Sequence, residues 1–253
     1  MNQTRRKFEV WSAISIALLL AFLLFFVYPI CTLLKQAFTT SESAFTFDNF
    51  IKFFSKPYYY NTIFNSFKVS IAVMLVSLAI GIAFSYFYSF YRLKGAKFLL
   101  VSSILCCMSA PFIGAYAWIL LMGRSGDITL LLKALGIQTG SIYGFGGILL
   151  VQATKLYPLV MIYMNGMFSN LDNSLMEASA NLGCSGFKRF WNVILRLSMP
   201  TVLAAALLVF MRAFADFGTP LLIGEGYRTF TVEIYKQFLS ETGSDYGLSL
   251  IHI

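Results

Sequence analysis

The chain has 253 residues, 58% of them hydrophobic and 12% charged, against roughly a quarter charged in ordinary globular proteins. A protein this short has no interior large enough to hide so much apolar surface, so a water-soluble globular domain is excluded and lipid is the expected solvent. The formal charge of +8 does not signal nucleic acid, because no basic cluster exceeds three residues and the cations sit at the edges of apolar runs.

The first predicted element is a transmembrane helix over 10–34, where 25 residues between Glu9 and Lys35 carry no charge and exceed the ~20 needed to cross a hydrocarbon core. Thr4, Arg5, Arg6 and Phe8 are spaced as in a twin-arginine export signal. The Leu- and Phe-rich run that follows has no small-x-small cleavage site, so Arg5, Arg6 and Lys7 read as a cytoplasmic anchor. Tyr58, Tyr59 and Tyr60 beside Pro57 read as an interfacial aromatic belt. A second span covers 69–91 and ends in Arg92, Lys94 and Lys97, and a third covers 98–122. The fourth, 147–168, is interrupted by Lys155 and Pro158, and the fifth, 201–223, by Arg212 and Asp216. With the amino terminus inside, alternation puts 92–97 and 169–199 in the cytoplasm and 36–66 and 124–146 outside, which places the two tightest basic clusters inside. Cys31, Cys106 and Cys107 lie within apolar runs, Cys184 stands apart, and no CxxC pair occurs. They read as small apolar filler rather than as a disulfide, redox or metal framework.

Segment 169–199 is too polar for a span and too patterned for slack. Ser174 and Glu177 fit a capping box, in which hydroxyl and carboxylate satisfy each other's free backbone amides and start a helix. Ala178, Ser179 and Ala180 keep its surface thin, and Gly183 is placed to end it at positive φ. Ser185-Gly186 restarts the chain. Phe187, Phe190, Trp191, Ile194 and Leu195 then recur at helical spacing, with Lys188, Arg189, Asn192 and Arg196 on the other face, leading into Pro200. By periodicity alone, this is equally an interfacial helix joining two spans.

Glu177-Ala178-Ser179, then Gly183, Phe190, Val193, Leu195 and Pro200, resemble the E-A-A, G and I-x-L-P loop of permease subunits of type I ABC importers. Ser179 replaces the family's second Ala, which keeps the helix thin, and Arg196 stands where the first Pro is usual, which leaves the helix end less defined. Asn65-Ser66, Gly123-Arg124-Ser125-Gly126, and Asp216-Phe217-Gly218-Thr219-Pro220 with Tyr227 to Tyr235 resemble the ferric-iron permease branch of that family. The resemblance implies an all-α polytopic membrane protein, one half of a two-fold importer core in a bacterial plasma membrane. In it, Ser174, Glu177, Ala178, Ser179 and Gly183 form a coupling helix for a cytoplasmic ATPase dimer. It also implies an extracytoplasmic substrate-binding protein and a second permease half, separate or fused. No G-x-x-x-x-G-K-[ST] occurs, so no cofactor is expected in this chain, and ATP with Mg would be bound by the ATPase. Ferric iron is the expected cargo. Polyamine, thiamine, sulfate and phosphonate carriers share the loop and stay open.

Counting from Pro200 at 1.5 Å per residue, Arg212 lies roughly 18 Å and Asp216 roughly 24 Å along the fifth helix. At i and i+4 the two are placed to pair, which lowers the cost of a charge in hydrocarbon. The alternative is that they, with Lys155, line the translocation path or its gate. Gly123-Arg124-Ser125-Gly126 also matches the G-x-S-G of rhomboid-type proteases, but the only histidine is His252 at the far end of the chain, so no base is at hand and an enzyme is not expected. A channel or receptor is the other class, and it would have no need of a thin capped cytoplasmic helix. Finally, residues 1–247 are expected to form the permease domain and to lack a sixth span by truncation. Leu248-Ser249-Leu250-Ile251-His252-Ile253 is what the transposon mosaic end of tagmentation sequencing libraries encodes in one frame.

Overall fold

Hydrocarbon offers no partner to a free backbone group, and helices satisfy theirs internally. Among the described residues of the computed structural model, 2–39, 45–91, 94–137 and 140–239, the regular elements are all helical, apart from an isolated antiparallel bridge between Thr39 and Phe45. The expected terminal segment 248–253 lies outside the described residues. In chain order, α1 (Asn2–Phe22) runs through a π-helical turn (Leu23–Val27) into α2 (Tyr28–Ala37). Then come α3 (Asp48–Ser55), α4 (Pro57–Phe90), α5 (Ala96–Met108), α6 (Pro111–Met122), α7 (Asp127–Ala134) and α8 (Phe145–Ser169). The loop after α8 holds α9 (Asn173–Asn181), α10 (Gly186–Arg189), a second π turn (Phe190–Ile194) and α11 (Leu195–Leu197). The chain continues with α12 (Met199–Phe214), α13 (Gly218–Ile223) and α14 (Phe230–Leu239).

Among the described residues, three helical stretches are long and apolar enough to cross a membrane, Val10–Lys35, Pro57–Phe90 and Phe145–Ser169. The number rises to as many as five where each of two bent pairs, Ala96–Met108 with Pro111–Ala134 and Gly186–Leu197 with Met199–Phe214, counts as one span. One of these bends and a separate break after α12 correct two of the expected spans. Within 98–122, α5 and the helical stretch beyond Pro111 meet at 110°, because proline has no N–H to donate and forces the residue before it out of the helical region. Ala110 accordingly sits at ψ 145° and Ser109 at ψ 141°. The fifth span, expected to run unbroken over 201–223, stops at Phe214 and resumes at Gly218. Pro220 cannot donate to the carbonyl four residues back, Asp216, and the Thr231 hydroxyl donates to that oxygen instead at 3.1 Å. In α8 the same problem has the same kind of answer: Pro158 leaves the Thr154 carbonyl without its helical donor, and the Cys106 thiol donates to it across a 3.6 Å gap.

The chain forms two compact units, residues 1–60 with 233–253, and residues 61–232. In the first, Phe38 stacks on Phe45 and Phe50 at centroid distances of 5.7 and 5.1 Å. Two of the three tyrosines read as an interfacial belt have internal duties here, while Tyr60 is exposed. Tyr59 is buried and stacks on Phe53. The Tyr58 hydroxyl donates to both carboxylate oxygens of buried Glu233, at 3.0 and 2.9 Å, and Gln237 Nε2 is a second donor at 3.2 Å.

In the second unit, α8 is the central strut. Its Leu156, Val160, Met164 and Phe168 pack with Val73 of α4 and with Val209 and Ala213 of α12. Gly81 of α4 makes this seam close: a Cβ there would lie 2.5 Å from Val160 Cβ and 2.8 Å from the Tyr157 carbonyl oxygen. Two stretches distant in sequence are clasped at the start of α4. Asn65 Nδ2 donates to the Arg228 carbonyl at 3.1 Å, the Tyr227 hydroxyl to the Asn65 carbonyl at 3.0 Å, and the Phe230 N–H to Ser66 Oγ at 2.8 Å.

Gly81→Val is expected to lower stability by about 1–3 kcal/mol through overpacking. Gly166→Ala, where an added Cβ meets nothing within 4 Å, should be neutral or stabilising by up to about 1 kcal/mol. Thermal unfolding of the purified chain in detergent compares them.

Candidate functional site

The loop between α8 and α12 is built from local signals. α9 begins at Asn173, and its cap is Asp172: the Ser174 N–H donates to Asp172 Oδ1 at 2.9 Å. This corrects the expected capping box, since Ser174 lies inside the first turn. The Asp172 carboxyl is held below the usual carboxylate range, chiefly by that backbone N–H and then by the Ser174 side chain, both favouring the ionised form. At the other end Gly183 has φ +77°, its N–H donates to Ala180 O at 2.9 Å, and the Cys184 N–H reaches back to Ser179 O at 3.1 Å. This pair of bonds is a Schellman stop, as the glycine led us to expect.

Met176 and Ser179, three apart, face the membrane helices. Ser179 is buried with its hydroxyl on Met176 O at 2.8 Å, and Met176 packs against the core cluster. Ser174, Glu177 and Ala178 are exposed, and so are the apolar Leu175, Leu182 and Phe187, at 45%, 85% and 79%. The single apolar face expected for 187–195 is divided. Ile194 is buried and Phe190 meets Tyr86 edge-on at 4.8 Å, while Phe187 and Trp191 stand exposed. The π turn over Phe190–Ile194 is the reason: it inserts a wider turn and shifts the phase of the helix.

Within the spans, Lys155, Arg212 and Asp216 come together with Gln152 around one cleft of about 430 Å³, to which Pro111 and Cys107 also contribute. Asp216 lies past the end of α12, so the i, i+4 geometry expected for it with Arg212 does not exist. Its carboxylate instead accepts from Gln152 Nε2 at 2.9 Å and faces Lys155 Nζ at 4.0 Å, with only 18% of the Lys155 and 7% of the Asp216 side chain exposed. Arg212 is exposed and has no ion pair among the described residues. Gln152, fully buried, was not singled out by the sequence; an amide in an apolar run one helical turn before Lys155 was the available signal. The Gly123-Arg124-Ser125-Gly126 stretch forms the turn from α6 to α7, where Gly126 N–H donates to Gly123 O at 3.0 Å and Arg124 pairs with Glu225 and lies over the Tyr143 ring. The described residues hold no group of three or more His, Cys, Asp or Glu able to ligate a metal.

An all-helical membrane bundle with broken spans, an ionised cleft among them and a thin capped helix on the loop between two of them is the architecture of a transport permease. The profile of the family described as "Binding-protein-dependent transport system inner membrane component" matches residues 91–252, and the chain belongs to that family. Its members are transport components, not enzymes. The chain is similar to the ferric transport system permease protein FbpB of Actinobacillus pleuropneumoniae, 29% identical over 231 residues that cover 90% of this chain and 33% of that protein. It thus spans about a third of the length of that relative. It is also similar to the spermidine/putrescine permease PotB of Haemophilus influenzae, 28% identical over 88% of this chain and 80% of that one. A solved bacterial ABC transporter that imports the acidic polysaccharide alginate shares the fold, with a TM-score of 0.78 at 16% identity over 98% of this chain and 89% of that one.

Two outcomes are expected. Asp216→Leu alone should cost about 3 kcal/mol by stranding Lys155, and Lys155→Leu in the same chain should restore most of it, whereas Arg212→Leu should add independently to Asp216→Leu. A thermal-stability cycle reads both couplings. For α9, the depressed Asp172 carboxyl stabilises the helix start fully above the unfolded value of about 3.9, and that contribution is lost as pH falls through the lower folded value. The protection of α9 amides, taken relative to their intrinsic exchange rate at each pH, should therefore fall in acid in the parent, and be low at neutral pH already in Asp172→Ala.

Proposed function

We propose that this chain is a transmembrane half of an ATP-driven, binding-protein-dependent importer of a bacterial plasma membrane, with its amino terminus in the cytoplasm and ferric iron as cargo. The reading is carried by α9: a helix capped at both ends, seated on the membrane core through Met176 and Ser179, with Glu177 and an apolar fringe of Leu175, Leu182 and Phe187 turned outward. Such a helix transmits force, since pushing its outer face moves Met176 against the cluster that joins α8 and α12. A cytoplasmic ATPase dimer, binding ATP with Mg, is the partner on that face; an extracytoplasmic binding protein delivers the cargo, and a second permease half completes the path. Ser174, Glu177, Ala178, Ser179 and Gly183 are assigned to coupling, and Lys155, Arg212 and Asp216 to the path or its gate. Ferric iron is favoured by the likeness to FbpB over most of this chain.

Because Asp172 supplies the cap, Glu177→Ala removes a docking charge without unwinding α9. Gly183→Val, by contrast, obstructs a left-handed backbone position. Both variants should reach the membrane, copurify poorly with the co-expressed ATPase and lose binding-protein-stimulated ATP hydrolysis by at least about tenfold, which for Glu177→Ala is the loss of one charge-assisted contact. Normal stimulation in both would overturn the coupling assignment.

A further inference from the structure

The cleft among α8, α12 and the segment after α12 has an uneven charge balance. Lys155 and Arg212 bring two cations, Asp216 one anion, and Asp216 is already engaged by Gln152 and Lys155. Arg212 is left with its charge and its fork of donors exposed and unpaired among the described residues. The helix α6, twelve residues long, opens at Pro111 on the same cleft and adds the positive end of its dipole. A bare cation entering here meets net repulsion. A second observation narrows the ligand further: Gln152 Oε1 is buried and has no donor, because the amide's other end is committed to Asp216. An acceptor without a donor is filled by a group that carries a hydrogen.

We propose that this cleft is an anion subsite of the translocation path, taking a small water-borne oxyanion that retains an O–H or a shell water, such as a hydroxycarboxylate or a hydrogen phosphate. Arg212 binds its oxygens, Lys155 adds charge from beside Asp216, and Asp216 with Gln152 sets how much positive excess remains. This deepens the importer reading and rests on it: a ferric ion would pass as an anionic complex with such a ligand, not as the bare ion, and a polycation would be turned away. Arg212 recognises carboxylate and phosphate alike through its planar fork, so the shared chemistry is the oxyanion.

The purified chain in phosphatidylcholine nanodiscs, titrated calorimetrically with citrate, ferric citrate, phosphate and spermidine, tests this. Citrate, alone or with iron, is expected to bind saturably and spermidine not. Arg212→Gln should weaken citrate by about tenfold or more and Arg212→Lys by less. Asp216→Asn should move the other way and tighten it, a change of sign that misfolding does not produce. Unchanged citrate affinity in Arg212→Gln and Asp216→Asn, or saturable spermidine binding that Arg212→Gln leaves intact, would overturn the subsite. Phosphatidylglycerol nanodiscs separate the two sources of an oxyanion: a site that phosphatidylglycerol fills and citrate cannot enter, in either lipid, is a headgroup site and also overturns the proposal. Binding-protein-stimulated ATP hydrolysis is read in parallel. Its absence in a parent chain that still binds citrate through Arg212 would sink the importer reading and leave the subsite standing.

Discussion

A carbonyl without a donor is costly in hydrocarbon, and the six prolines of this chain mark where that cost had to be met. Pro57, Pro111 and Pro200 stand in first helical turns, where the missing N–H has no helical partner to lose. Pro29 follows a π turn in which Tyr28 N–H reaches five residues back to Leu23. Pro158, inside α8, is the demanding case and is answered by the Cys106 thiol of α5; Pro220 stands in the first turn of α13, and the Asp216 carbonyl ahead of that helix takes the Thr231 hydroxyl of α14. Those two contacts join α5 to α8 and α14 to the end of α12. The break they permit at 215–217 lets Asp216 leave the helix axis and meet α8. The ionised cleft exists because α12 was interrupted.

The loop and the cleft are two ends of one packed column. Met176 and Phe190 at the loop, then Phe168, Met164, Val160 and Leu156 along α8, lead to Ala213 of α12, one residue from Arg212. Interiors packed at this density shift as bodies and do not compress. A displacement of α9 therefore has a continuous route to the charges, with α8 as the shaft.

What could be read from the sequence divides by range. The all-helical membrane class, the patterned loop and the left-handed stop at Gly183 were legible because composition, periodicity and a C′ glycine act within a few residues. Ser174 was mistaken for the cap because Asp and Ser are near equals at N-cap, and the choice fell to Asp172, beside Leu171, which packs on the core. Ser109-Ala110-Pro111 carried a break signal, but the apolar composition around it outweighed one proline. Asp216 was paired with Arg212 because that is its neighbour if the helix continues. Its partners come from α8, Gln152 being 64 positions away, and no periodicity reports a contact of that length. The phase slip in 187–195 was hidden for a related reason, since a π turn leaves no mark in residue types.

The contact at Gly81 also limits how this sequence can change over time. Position 81 admits no side chain without moving Val160 and the Tyr157 carbonyl, and Ser77 one turn earlier lies 3.5 Å from the Ala153 carbonyl with its hydroxyl as donor. On the same helix Leu75 and Val76 are 57% and 36% exposed, where one apolar side chain serves lipid much as another does. Drift along α4 is thus expected to run on one side of the helix only, and a lineage that lost the glycine would have to alter α8 at the same time.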